Sequence, residues 1–303
     1  MRHFRSRLFF LGFALLLPLI AVSTRGLAAP PELPVIFASV PPHKFLVELL
    51  AGDAVRVECM VRPGFNPHSY EPLPSQITLL EKAALYFSTG LGIERLYLDK
   101  IRSLNPRLRV VDLRAGLELI AEHDHGDAHS EEAGSVEDGK LAADPHIWLS
   151  PRRLAAQARR VGAELAKILP GQAEEIAAKA RRFEGEMRDL EAELKAQLEP
   201  LKSRKFFVYH PAWSYFAADF ELEQVAVEHE GKEPSARRFT ELVERARAEK
   251  VRAVFLQKQY PSASAERLAL EIGAKLVLLD ELDPDFRAAL RAAAQALNDA
   301  DSK

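Results

Sequence analysis

Hydrophobic positions in this chain follow two alternating periods. Short runs rich in β-branched and aromatic residues at 34–40, 55–61, 85–88 and 108–112 read as strands. Apolar residues at helical spacing lie between them, at 44–50, 76–83 and 93–104. The second half repeats the scheme. Strands are expected at 206–209, 224–227, 251–257 and 275–279, and helices at 212–220, 236–249, 264–273 and 285–300. Strand–helix alternation of this kind marks a parallel α/β domain.

Two helices stand between the halves. Ser150 followed by Pro151 is a strong helix start and predicts a helix over 151–168. The longest helical pattern follows at 173–198, where Ile176, Ala180, Phe183, Met187, Leu190 and Leu194 are spaced by four and three residues in turn. At 1.5 Å per residue it spans roughly 40 Å. It holds only about three heptads and contains Gly185, so it reads as a connector packed along two lobes, not as a coiled-coil dimer. The expected fold class is therefore α/β: two lobes with mostly parallel sheets joined by one long rigid helix. The N-terminal lobe is assigned to 30–171, the connector to 172–200 and the C-terminal lobe to 201–303. A monomer is expected.

Composition sharpens this picture at three points. Residues 1–29 lie outside the fold: Arg2, Arg5 and Arg7 precede a 15-residue apolar run at 8–22, and Leu27-Ala28-Ala29 offers a small-residue cleavage site. This is the pattern of a signal peptide cut near Ala29, which places the mature protein in the periplasm. The run is shorter than the about 18–20 residues of a spanning helix. Cys59 is the only cysteine, so no internal disulfide or thiolate metal site is available. It is expected as a buried core thiol. Without residues 1–29 the balance is 37 basic against 44 acidic residues, which argues against nucleic acid as a partner and suits a cation.

Candidate chemistry gathers where strands give way to loops. In 204–213 a buried strand ends at His210, and Pro211 stops it. Ligands of open α/β sheets bind beyond the carboxyl ends of strands. His68, His146 and Asp280 stand at comparable places, and the four donors are separated by 78, 64 and 70 residues. A site built from such distant points needs a cleft between lobes. Three imidazoles and one carboxylate would fill a tetrahedral Zn²⁺ shell, and imidazole nitrogen favours zinc over magnesium or calcium. The segment 122–140 breaks the α/β pattern. It is polar and carries His123, His125 and His129, which read as a possible auxiliary metal collector on a loop.

Four segments then carry a resemblance. They are Gly64-Phe65-Asn66-Pro67-His68-Ser69-Tyr70-Glu71-Pro72, Asp144-Pro145-His146-Ile147-Trp148-Leu149-Ser150-Pro151, Tyr209-His210-Pro211-Ala212-Trp213-Ser214-Tyr215-Phe216 and Leu278-Leu279-Asp280-Glu281-Leu282. Together they resemble the metal-specific cluster of ABC-transporter substrate-binding proteins, the zinc-uptake branch in particular. The resemblance implies two lobes on a rigid helix, with the metal between them. It carries the ligand roles to His68, His146, His210 and Asp280. Manganese-binding relatives usually have glutamate at the position of His210, so histidine favours zinc. Glu281 departs from the pattern, which often has proline there. The implied activity is capture of Zn²⁺ and delivery to a membrane permease, with no other cofactor and no catalysis. The alternatives are a manganese- or iron-binding member of the same family, or an exported zinc hydrolase using Glu230 or Glu281 as base. Metal capture is expected to weaken below the histidine pKa of about 6.5. His43 is expected to be a hydrogen-bonded residue at a helix start, and Gln257 and Gln259 to lie beside the ligands.

Overall fold

The computed structural model describes residues 32–121, 136–137, 140–141, 143–228 and 231–302. The proposed signal peptide, its cleavage point and His123, His125 and His129 lie outside them. In the first lobe, β1 (Val35–Ala38), β2 (Arg56–Cys59), β3 (Leu85–Ser88) and β4 (Arg109–Asp112) form one parallel sheet in the order β2-β1-β3-β4. Helices α1 (Pro41–Ala51), α2 (Pro74–Leu80), α3 (Gly92–Leu104) and α4 (Pro151–Ile168) accompany it. All four residues of β3 are buried, as expected of an inner parallel strand covered on both faces.

Helix α1 starts three residues earlier than its apolar pattern suggests. The Pro41-Pro42 pair that stops β1 also fits the first helical turn, where a missing N–H costs nothing. His43 thereby falls inside the helix and is fully buried. Cys59 lies on the edge strand β2 and is half-buried, with Sγ 3.0 Å from the Val61 carbonyl, so it is not a core thiol. Val136–Glu137 (β5) and Lys140–Leu141 (β6) pair antiparallel as a two-residue ladder.

The connector α5 (Ala173–Leu198) has the boundaries of its apolar pattern. Its seam residues, Ile176 through Leu198, are all buried. One stretch packs on α4, where Gly162 lets the two backbones approach: a Cβ there would lie 3.3 Å from Ala180 Cβ. The second lobe contains β7 (Lys205–Val208), α6 (Ser214–Asp219), β8 (Glu223–Ala226), α7 (Ala236–Ala248), β9 (Ala253–Gln257), α8 (Ala263–Ile272), β10 (Lys275–Leu279) and α9 (Phe286–Asp301). Its four strands are parallel in the order β10-β9-β7-β8. Gly273 closes α8 in the left-handed region, at φ 67°.

The lobes share one apolar core. It runs from β1 through α5 to α9. Phe286 on α9 is fully buried between Phe45 on α1 (5.9 Å between ring centroids) and Phe183 on α5 (5.6 Å). Ion pairs Arg287–Glu186 and Arg291–Glu193 line the solvent side of the same joint. No helix among the described residues is long and apolar enough to cross a membrane.

The aromatic joint should carry the stability of this arrangement. Phe286→Ala is expected to lower the unfolding free energy by about 3–5 kcal/mol in urea titration. Arg291→Ala, which breaks a half-exposed ion pair, should cost about 1 kcal/mol or less. Equal effects would contradict the assignment of the joint to apolar packing.

Candidate metal centre

The carboxyl edges of both sheets supply the site. His68 lies on the loop after β2. Asn66 Oδ1 accepts from the His68 backbone N–H at 2.8 Å. Gln76 fastens the loop at its base: it accepts from Tyr70 Oη (2.8 Å) and donates to the Met60 carbonyl (2.7 Å). His146 follows Asp144-Pro145, and Thr89 Oγ1 donates to the Pro145 carbonyl at 2.7 Å. His210 leaves the end of β7. Gln257, at the end of β9, accepts from the His210 N–H and donates to its carbonyl, bracketing the backbone. The Tyr260 ring stacks on the His210 imidazole at 4.5 Å and 13°.

Three imidazoles converge. His68 Nε2 lies 3.4 Å from His146 Nε2, and His210 Nε2 lies 3.3 Å from the same atom. All three ligand atoms fall within 4.8 Å of one another. Zinc–nitrogen bonds of about 2.0–2.1 Å in a tetrahedron require neighbouring nitrogens about 3.3–3.4 Å apart. Two of the three separations match that edge and the third lies within 4.8 Å, so one zinc ion can draw the three nitrogens together.

The second nitrogen of two of these rings is committed elsewhere. His146 Nδ1 lies 2.8 Å from Asp144 Oδ1, and His210 Nδ1 lies 2.6 Å from Glu228 Oε1. An ionised carboxylate only accepts, so beside Asp144 the His146 Nδ1 carries the proton and its Nε2 presents a lone pair towards the other two rings. Asp144 is suited to this role. Burial pushes its pKa up, but the adjacent His146 and its hydrogen bonds hold it below the usual carboxylate range. Burial pushes the Glu228 carboxyl up to about 7, so Glu228 fixes the orientation of the His210 ring and its proton is shared with the imidazole.

Asp280 is not part of the convergent trio. Its Oδ1 accepts from Gln259 Nε2 (2.6 Å) and from the Leu282 N–H (3.1 Å), and Lys258 Nζ lies 3.6 Å from Oδ2. The bond from residue i+2 is the local turn that aspartate side chains favour. Glu281 is likewise outside the trio, but it is 1% exposed and neither carboxylate oxygen has a partner. Burial pushes its pKa up to about 7, against the opposing influence of His146. Trp148 Nε1 donates to the Glu281 carbonyl at 2.7 Å, so this loop is tied to the His146 segment. His43 is a support behind the site: its Nε2 meets Gln157 Oε1 at 2.6 Å, and Gln157 Nε2 donates to the Ile147 carbonyl at 3.0 Å. Glu230 lies outside the described residues.

Burial, and then the neighbouring His146, push the pKa of His210 well below 6.5, and His68, on the exposed side of the site, is lowered too by desolvation among the other rings and by His210 and His146. These ligands are thus neutral at pH 6.5 before any metal arrives. Proton competition at these two rings begins at lower pH than free histidine would suggest. The sequence suggested no role for Asp144 or Glu228, although both were visible: Asp144 stands two residues before His146, and Glu228 stands two residues beyond the end of β8.

Two parallel-sheet lobes on a common helix, with an imidazole trio between them, define a two-lobed binding protein with a candidate transition-metal centre. Residues 36–300 match the family model described as ZnuA, the periplasmic component A of a zinc-uptake complex. The chain belongs to this family, whose members are transport components and not enzymes. It is 37% identical to ZnuA in a crystal structure, with a TM-score of 0.82, covering 89% of this chain and 100% of that one. A zinc-bound ZnuA deletion mutant is 36% identical, with a TM-score of 0.80, covering 90% of this chain and 99% of that one. The zinc-binding protein AdcA of Streptococcus pyogenes is 26% identical over 259 residues, covering 82% of this chain and 50% of that protein. The chain spans about half the length of the curated relatives it matches.

Glu281 gives the metal-free protein a defined pH response. Its folded pKa of about 7 lies above its ordinary 4.5, so the folded state binds more protons between those values. Stability linked to this group therefore falls as pH rises from 4.5 through 7. In metal-free protein, Glu281→Gln should stabilise by up to about 3 kcal/mol at pH 8 and by little at pH 4.5. Denaturant melts at both pH values check this, and a pH-independent effect would contradict it.

Proposed function

We propose that this chain captures Zn²⁺ in the periplasm and hands it to the membrane permease of an ABC importer. It acts as a monomer, after removal of a signal peptide near Ala29. The observation that carries this reading is the trio of imidazoles, with His68 and His210 each placing Nε2 at the edge length of a zinc tetrahedron from His146 Nε2 and with His146 held by a buried carboxylate. The printed name of AdcA and the zinc-bound ZnuA mutant support the choice of metal. The donors agree with it: three neutral imidazoles suit zinc, whereas manganese favours carboxylate and water.

Zinc in this reading is bound by His68, His146 and His210. The fourth place belongs to a carboxylate of the loop after β10. Glu281 fits it better than Asp280, because its oxygens are buried and unpartnered while those of Asp280 are engaged. The site lies between residues 30–171 and 201–303, joined by the 172–200 connector, with His146 and His210 buried and His68 on the exposed side. His123, His125 and His129 are assigned an auxiliary collecting role.

Chelator-competition titration with zinc and manganese tests the assignment. Wild-type protein should bind one zinc and prefer it to manganese. His210→Ala should weaken zinc by more than about 100-fold, beyond the loss typical of a ligand's hydrogen-bond partner. Glu281→Ala should weaken it by at least about tenfold, and Asp280→Ala by much less. Equal affinity of wild type and His210→Ala would end the site assignment. A larger loss at Asp280 than at Glu281 would return the fourth place to Asp280.

A further inference from the structure

Helix α6 belongs to the second lobe and begins four residues after His210. Its side chains hold a residue of the first lobe. Tyr215 Oη donates to the Asp144 carbonyl at 2.8 Å and accepts from the Ile120 N–H at 3.4 Å. Ser214, the preceding residue, helps to hold the Asp144 carboxyl below its usual range. Asp144 is the residue whose Oδ1 accepts from both the backbone N–H and the Nδ1 of His146, each at 2.8 Å. Tyr215 is fully buried, and so is Asp144.

The other end of α6 is fastened to the same lobe. Asp219 accepts from Arg153 Nη1 at 2.9 Å and from the Ser150 hydroxyl, and both side chains of the ion pair are nearly buried. The Arg153 guanidinium also lies over the Tyr215 ring, 4.4 Å from its centroid, and donates to the Glu118 carbonyl. Tyr215 thus has one hydroxyl position available to it, over the Asp144 carbonyl.

We infer that Tyr215, assisted by Ser214, is a positioning residue that makes the orientation of His146 depend on the apposition of the two lobes. The inference rests on the zinc reading of the imidazole trio. A movement that carries His210 away from His146 also carries α6 away, because only four residues of chain separate His210 from Tyr215. Asp144 then loses the hydrogen bond that holds its carbonyl from the second lobe, and the turn that sets its carboxylate against His146 is released on that side. Two ligands from opposite lobes are weakened by one displacement, so retention of metal is steep in lobe separation. A buried, positioned carboxylate behind a ligating imidazole is typically responsible for a 10–100-fold effect on metal affinity.

Full-length Tyr215→Phe and Ser214→Ala proteins test this, each against wild type. In metal-free, ¹⁵N-histidine-labelled wild type, long-range ¹H–¹⁵N spectra should show His146 as the Nδ1–H tautomer. Tyr215→Phe should shift this signal towards a tautomer mixture. Zinc release into excess chelator should quicken about tenfold, the effect of one buried hydrogen bond. Ser214→Ala should move both readouts in the same direction by less, and it decides the matter if Tyr215→Phe does not fold. A lowered melting temperature with the His146 tautomer and release rate unchanged would overturn the proposal, since that is the outcome of packing alone. Absence of zinc binding by wild type would instead overturn the zinc reading. The tautomer measurement needs no metal and keeps the two failures apart.

Discussion

Imidazole nitrogens from distant parts of the chain held 3.3–3.4 Å apart are the constraint on which this structure turns. The rings have little freedom to leave that arrangement. Asp144 and Glu228 hold His146 and His210 through Nδ1, Tyr260 stacks on His210, and burial disfavours a charge on it. The surrounding packing thus brings neutral nitrogen donors to the spacing that a small cation requires.

The fold exists to hold donors from distant parts of the chain at that distance. Each sheet ends at the cleft, so His68, His210, Gln257 and Glu281 all arrive from strand ends or the turns beyond them. The core that continues through α5 and the Phe45–Phe286–Phe183 joint fix one lobe against the other. Polar contacts across the cleft add direction to that apolar support. Trp148 reaches the Glu281 carbonyl, and Tyr215 reaches the Asp144 carbonyl. The ligands are consequently joined through the backbone as well as through the metal they would share.

Much of this was legible in the sequence. The three histidines stood out because proline or a strand end isolates each from regular structure. The 26-residue connector was legible because its apolar seam persists without a break, and its boundaries are those of the pattern. The choice of carboxylate was harder to read. Asp280 and Glu281 are consecutive acids after β10, and spacing does not say which is engaged locally. Asp280 closes the turn by accepting from the Leu282 N–H, and Glu281 is the buried, unpartnered one. Asp144 and Glu228 were overlooked for a related reason: their roles depend on the direction of a ring nitrogen, which no spacing records. The helix start at Pro41 was misplaced because proline both ends a strand and begins a helix.

Zinc K-edge X-ray absorption on protein loaded with one equivalent of zinc tests the central claim most directly. The account predicts four nitrogen or oxygen scatterers at about 2.0–2.1 Å, with the outer-shell multiple scattering of three imidazoles. A six-oxygen shell, or a spectrum without imidazole multiple scattering, would contradict it.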